Sequence, residues 1–265
     1  MRLLSVFAFF GFVSSAFAQP APKTYPYEVT DPKEQENLIA LMKKMQKAVQ
    51  TLKDYTLTML KKERIGNTLR PTETVRMKFR APFSVYLRWI KEPYKDREVM
   101  FVRGWNNNKL IAREHSGFAG FFQSMSGPTS LEPTGSLAMN GSRHPITNAG
   151  LVKVMEIILR DINRYRARKD PFALMMEAPF QEEGRETQCV KFTGPKNAKS
   201  GYYSYRTRLC WGVKDLLIRH IQSWDWQDRL VEDYKYLNLR INVGLTDQDF
   251  NPKNPEYMFH GRKKR

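Results

Sequence analysis

Between Tyr55 and Ala112 the apolar residues keep a period of two through several consecutive segments. Tyr55, Leu57 and Met59 alternate with Thr56 and Thr58. Val75, Met77 and Phe79 alternate with Thr74, Arg76, Lys78 and Arg80. Phe83, Val85, Leu87 and Trp89 alternate with Ser84, Tyr86 and Arg88. Val99 and Phe101 continue the pattern, and Leu110 to Ala112 restart it after Asn106-Asn107-Asn108. Successive side chains of a strand point to opposite faces, so this region reads as an antiparallel meander with one apolar and one basic face, turning at Gly66-Asn67.

A helix stands before each of two such meanders. Asp31 followed by Pro32 reads as an N-cap and a first helical position, and Leu38, Leu41, Met42, Met45, Val49 and Leu52 recur at helical spacing over 32–52. Residues 114–145 are rich in Gly, Ser and Pro and read as a long loop. Thr147 or Asn148 then caps a second helix built on Leu151, Val154, Met155, Ile158, Leu159 and Ile162 and ending near Lys169. Strands follow at 173–178, 187–193, 202–211, 216–226 and 229–241, divided by Gly184, Gly194-Pro195, Gly212 and Asp228. Strands outnumber helices and no βαβ alternation is present. The expected fold class is α+β: one large curved antiparallel sheet, a half-open β-barrel, with helices on its concave side.

The N-terminus reads as a secretory signal peptide over 1–18, with Arg2, an apolar run from Leu3 to Phe12, and a small-x-small end at Ala16 and Ala18. The run is too short to span a bilayer, and no Cys stands at the cleavage site for a lipid anchor. The expected location is periplasmic or otherwise exported. Residues 19–31, with three prolines, read as a flexible leader, 32–259 as a single half-barrel domain, and 260–265 as a basic tail, the whole polar stretch from Asn251 to Arg265 reading as a frayed terminus. Cys189 and Cys210 are the only cysteines. In an oxidising compartment such a pair forms one disulfide, worth roughly 3 kcal/mol, against the alternative of two reduced core thiols. The net charge of +17 excludes nothing by itself. Outside the cytoplasm it fits anionic lipid headgroups, acidic glycans or an acidic protein, or a merely solubilising surface, and not nucleic acid.

Three stretches resemble a family of exported bacterial proteins known as domain of unknown function 1571: "LKDYTLTMLKKERIGNTLRPTETVRMKFRAPFSVYLRWI" with "REVMFVRG", "GSLAMNGSRHPITNAGL", and "DYKYLNLRINVGLTDQDFNPKNPEYMF". Together they span residues 52–259, and Arg143, Pro145, Ile146, Thr147 and Gly150 in the middle stretch are the most specific. The ending "LNLRINVGLTDQDFNP" is similar to the last strand and tail of periplasmic lipoprotein carriers of the LolA and LolB type. The resemblance implies a half-open barrel holding helices on its concave side. It implies no assigned activity.

No reactive motif stands out. There is no GxSxG elbow, no HExxH and no phosphate loop, so no catalytic residue, cofactor or metal is expected and the protein reads as non-enzymatic. Arg143 and His144 form a candidate anion contact at the entrance to the second helix, or else Arg143 ties the long loop to carbonyls or a carboxylate. Phe118, Phe121, Phe122 and Met125, in "GFAGFFQSMSGP", are a plug, a gate over an apolar cavity, or a wedge into a membrane surface. Trp89 and Phe101 share the inward parity with Tyr55 and Phe79, as core or as cavity lining. The leading expectation is an exported protein that holds a hydrophobic or amphipathic envelope ligand, a lipid or lipoprotein acyl chain, with an anionic membrane surface as a further partner. The alternative is an interaction or sensor protein with a filled core that docks an envelope protein or anionic glycan through its basic surface.

Overall fold

The computed structural model describes residues 23–114 and 127–259. The expected signal peptide at 1–18, the expected tail at 260–265, and Phe118, Phe121, Phe122 and Met125 lie outside the described residues.

Fourteen strands among the described residues form one antiparallel sheet. The first meander is β2 (Asp54–Ile65), β3 (Thr68–Leu69), β4 (Glu73–Arg80), β5 (Ser84–Trp89), β6 (Glu98–Val102) and β7 (Leu110–Arg113). The second is β9 (Ala173–Met176), β10 (Phe180–Glu182), β11 (Arg185–Thr193), β12 (Arg206–Gly212), β13 (Ile218–Trp224) and β14 (Leu230–Ile241). Short strands β1 (Tyr27–Glu28) and β8 (Thr129–Leu131) stand at the two edges, and the order is β1-β9-β11-β12-β13-β14-β2-β4-β5-β6-β7-β8. The sheet does not close on itself among these residues. The two meanders are joined by β14 and β2, twelve residues each, running from Glu232 opposite Glu63 to Ile241 opposite Tyr55. Bulges interrupt the register at Cys210/Trp211, Ser223/Trp224 and Leu237/Arg240. Each adds local twist, and together they bend a sheet this wide into a trough.

Helices α1 (Pro32–Gln50) and α3 (Leu151–Arg168) lie against each other in the trough; a single turn, α2 (Ser136–Met139), precedes α3. Helix α1 begins as its sequence implies, with the Asp31 carboxylate accepting from the Lys33 amide at 3.2 Å and Pro32 in the first turn. Its Met42 and Met45 and α3's Met155 and Ile162 are buried with Leu57, Val85 and Leu209 of the sheet in one core. Each such side chain contributes about 1.5–3 kcal/mol by leaving water.

Four sequence expectations need correction. The end of the supposed leader at 19–31 is built into the sheet: Tyr27 and Glu28 pair with Met176 and Met175, and the Val29 amide donates to the Leu174 carbonyl at 2.8 Å. The described part of the 114–145 loop holds β8, paired with β7, and α2. Helix α3 is not capped by Thr147 or Asn148, which fall in a single 3-10 turn, Ile146–Asn148. Gly150 is the N-cap, with φ of 101°, and a Cβ there would lie 2.9 Å from both the Phe79 ring and the Tyr55 hydroxyl. That hydroxyl takes the Leu151 amide at 3.0 Å, replacing a side-chain cap. Finally, the polar tail from Asn251 is not frayed up to Phe259. It is a strap across the convex face, where Tyr86, Met100, Ile111, Phe250, Tyr257 and Phe259 make a second core.

Candidate functional site: a cavity between sheet and helix

Inward-facing residues of β2 begin apolar, with Tyr55, Leu57 and Met59, and end charged, with Lys61 and Glu63. Strand β14 matches them in register: Tyr236 faces Met59, Tyr234 faces Lys61, and Glu232 faces Glu63. The concave face therefore has an apolar stretch and a polar end. Over both lies a cavity of about 570 Å³, partly open to solvent, walled by the sheet, by α3 through Leu151, Val154 and Ile158, and by residues 140–150. Such a volume falls within the roughly 300–1,000 Å³ typical of small-ligand sites.

At the polar end the buried groups are bonded to one another. The Tyr234 hydroxyl donates to Glu63, which also takes the Arg143 amide at 3.1 Å and pairs with Lys61 at 3.1 Å. Lys61 lies 3.7 Å from Glu73, which accepts from the Trp89 indole at 2.5 Å. Glu232 accepts from Ser223 at 2.8 Å and from Tyr203, and lies 3.0 Å from His144 Nε2. Burial pushes the Glu232 carboxyl up, but hydrogen bonds and charge from His144, with Tyr203 and Ser223, outweigh it and hold the pKa below the usual carboxylate range. Burial, and then the neighbouring Glu232, push the phenols of Tyr203 and Tyr234 well above their ordinary value. Ser223 donates to a carboxylate and not to His144, so it is not arranged as an activated nucleophile. No group of three or more His, Cys, Asp or Glu among the described residues is arranged to hold a metal.

Sequence-predicted residues divide. Trp89 lines the cavity. Phe101 does not: it is a buried core residue, edge-on to Phe83 with ring centres 5.8 Å apart. Arg143 and His144 do not form an open anion contact. His144 is turned to Tyr203 and Glu232, while Arg143 bonds the Arg64 carbonyl at 3.5 Å and lies 4.0 Å from Glu232. Arg143 thus joins the segment before α3 to the end of β2, beside the carboxylates of Glu63 and Glu232. Cys189 and Cys210 face each other in register on β11 and β12 and are bonded as a disulfide with Cα atoms 4.1 Å apart. The residues missed from sequence are Lys61, Glu63, Glu73, Tyr203, Glu232 and Tyr234. Their signal was present, since Lys61 and Glu63 continue the inward parity of Leu57 and Met59.

The family model that matches, described as "Protein of unknown function (DUF1571)", covers residues 52–259, which contain every strand of the cavity wall. The chain belongs to this family. No curated protein matches it. Among solved structures, this DUF1571 chain is similar to the lipoprotein LppX of Mycobacterium tuberculosis, with 12% identity over 80% of this chain and 98% of that one and a TM-score of 0.48. It is similar to a chain of the Pseudomonas aeruginosa MucA/MucB complex, with 12% identity over 81% of this chain and 60% of that one and a TM-score of 0.46. A LolA superfamily protein from Nitrosomonas europaea shows 8% identity over 80% of this chain and 96% of that one, with a TM-score of 0.34. No helix among the described residues is long and apolar enough to cross a membrane.

Proposed function

We propose that this protein is an exported, non-enzymatic binding protein that holds a hydrophobic or amphipathic ligand of the cell envelope, a lipid or a lipoprotein acyl chain. The ligand lies between the concave sheet face and α3. The observation that carries this reading is the cavity of about 570 Å³, placed where a solid core would otherwise continue. Well-packed interiors leave few voids larger than a water molecule. The apolar wall supplies affinity without direction, as suits a flexible chain.

Native mass spectrometry of the protein purified from envelope is the direct test, with a retained lipid as the expected result. Ala112 lines the cavity from β7, and Ala112→Trp places a bulky ring in it. The variant folds and loses the lipid. A wild-type chain that carries none and takes up none supports instead the interaction protein that docks partners through its basic surface.

A further inference from the structure

The chain carries a net charge of +17, yet among the described residues each cationic side chain that lines the cavity already has a partner. Lys61, with a side chain 10% exposed, sits between Glu63 and Glu73. Arg97 is bonded to Glu114 at 2.7 Å and stacked on Tyr94 at 3.9 Å. Arg113 turns to the carbonyl of Phe259 beneath the C-terminal strap, at 2.7 Å. His144 is held by Glu232 and Tyr203. At the polar end three carboxylates, Glu63, Glu73 and Glu232, face two permanent cations, Lys61 and Arg143, beside His144. A buried anion is tolerated only where it is paired and hydrogen-bonded. An anionic headgroup entering here would meet carboxylates first. To gain Lys61 it would have to break a buried pair, leaving Glu63 or Glu73 uncompensated.

We infer that the cavity selects a ligand with an uncharged head, such as a long-chain alcohol or an acylglycerol, and discriminates against the same chain ending in a carboxylate or phosphate. This rests on the ligand-binding reading above and deepens it. The positive charge that an anion would seek is on the outer surface, and the inside of the trough is balanced by its own carboxylates. A hydroxyl or ester head needs no counter-ion. It can exchange a hydrogen bond with Asn140 or Ser142, which line the cavity and carry no charge.

The experiment is calorimetric titration of the wild-type protein with three probes that share one C18 chain: oleyl alcohol, monooleoylglycerol and oleate. At about pH 8 the fatty acid is ionised. The expected result is that the alcohol and the glyceride bind about tenfold or more tightly than oleate, a difference of roughly 1.4 kcal/mol or more. The gap narrows as the pH is lowered and oleate becomes neutral. Oleate binding as tightly as the neutral probes overturns the inference and leaves the binding reading standing. Binding of none of the three overturns both. A variant supplies a second check. Glu63→Gln removes one carboxylate from Lys61, so oleate should gain on oleyl alcohol by several-fold, whereas Asp247→Asn, whose exposed carboxylate pairs with Arg80 of β4 away from the cavity, should leave the ratio unchanged. An unchanged ratio in folded Glu63→Gln counts against the inference.

Discussion

The two faces of the sheet are made by alternate residues of the same strands, yet they solve burial differently. On the concave face, Leu57, Met77 and Leu87 leave a cavity beside α3, and buried charges gather at its far end. On the convex face, Tyr86 and Met100 are sealed under the strap. Tyr257 stacks on Tyr86 with ring centres 4.0 Å apart, and Phe259 is fully buried. The strap is tied down at both ends. The Asp54 carboxylate takes the Val243 amide at 2.7 Å where β14 ends, and Glu98 takes the Met258 amide at 2.8 Å near the last described residue. One face is closed by the chain itself, while among the described residues the other keeps a cavity.

The strongest test of this contrast is truncation on each face. Phe259→Ala should cost about 3–5 kcal/mol, because it opens a hole in a dry core. Leu87→Ala, beside space that already exists, should cost about 2 kcal/mol or less. Urea denaturation of both variants checks this, and equal costs would erase the difference between the faces. Next in size, replacing Cys189 and Cys210 by Ala should cost about 3 kcal/mol in the same assay and leave lipid uptake intact. The disulfide lies on the convex parity, since Val190 and Leu209 beside it face the main core. Gly150→Ala comes third, at about 1–3 kcal/mol, from a left-handed backbone and a crowded site against Phe79 and Tyr55. It should also disturb lipid uptake, since Gly150 borders the cavity.

The smallest effect has opposite signs on the two faces. Glu232 is held below its ordinary pKa against burial by His144, Tyr203 and Ser223. Its contribution is complete above the unfolded value of about 4.3 and is lost as the pH falls through the folded value. Glu98 is pushed up by burial, against the Tyr86 and Met258 hydrogen bonds. Its folded form binds a proton more readily than the unfolded chain, so its contribution to stability rises as the pH drops from neutral toward about 4.3. Thermal unfolding between pH 7 and pH 3 should show Glu232→Gln losing less stability on strong acidification than wild type, and Glu98→Gln gaining less on mild acidification. Matching pH profiles in the two variants would remove the asymmetry.

Much of the architecture was legible because period two is a local signal. Val75, Met77 and Phe79 need only their own strand to declare a face, and Asp31-Pro32 declares a helix start by itself. The site was less legible. Lys61 and Glu63 keep the inward parity of β2, but a charged residue inside a trough is unfavourable until its partner is known, and those partners, Glu73, Tyr234 and Arg143, arrive from three other segments. The strap was misread for a similar reason. Asn251 to Phe259 is polar in composition, and what buries Tyr257 and Phe259 is the outward row of Tyr86 and Met100, residues that look solvent-facing within their own strands. The cap of α3 lay beyond local reading because it is supplied by Tyr55, on the far side of the sheet's first strand pair.

The sheet's middle is made by the first and last long strands: Tyr55 pairs with Ile241 and Glu63 with Glu232, while the strands between them in sequence lie toward the edges. Closing that seam requires the longest loop the topology offers, and contacts of such separation form slowly. The order of events during synthesis follows. The first meander emerges with its β2 edge unpaired, and no cavity floor exists until β14 has left the ribosome. A nascent chain of this design therefore carries an unpaired strand edge, the kind most prone to pair with another chain, until Leu230–Ile241 has been made.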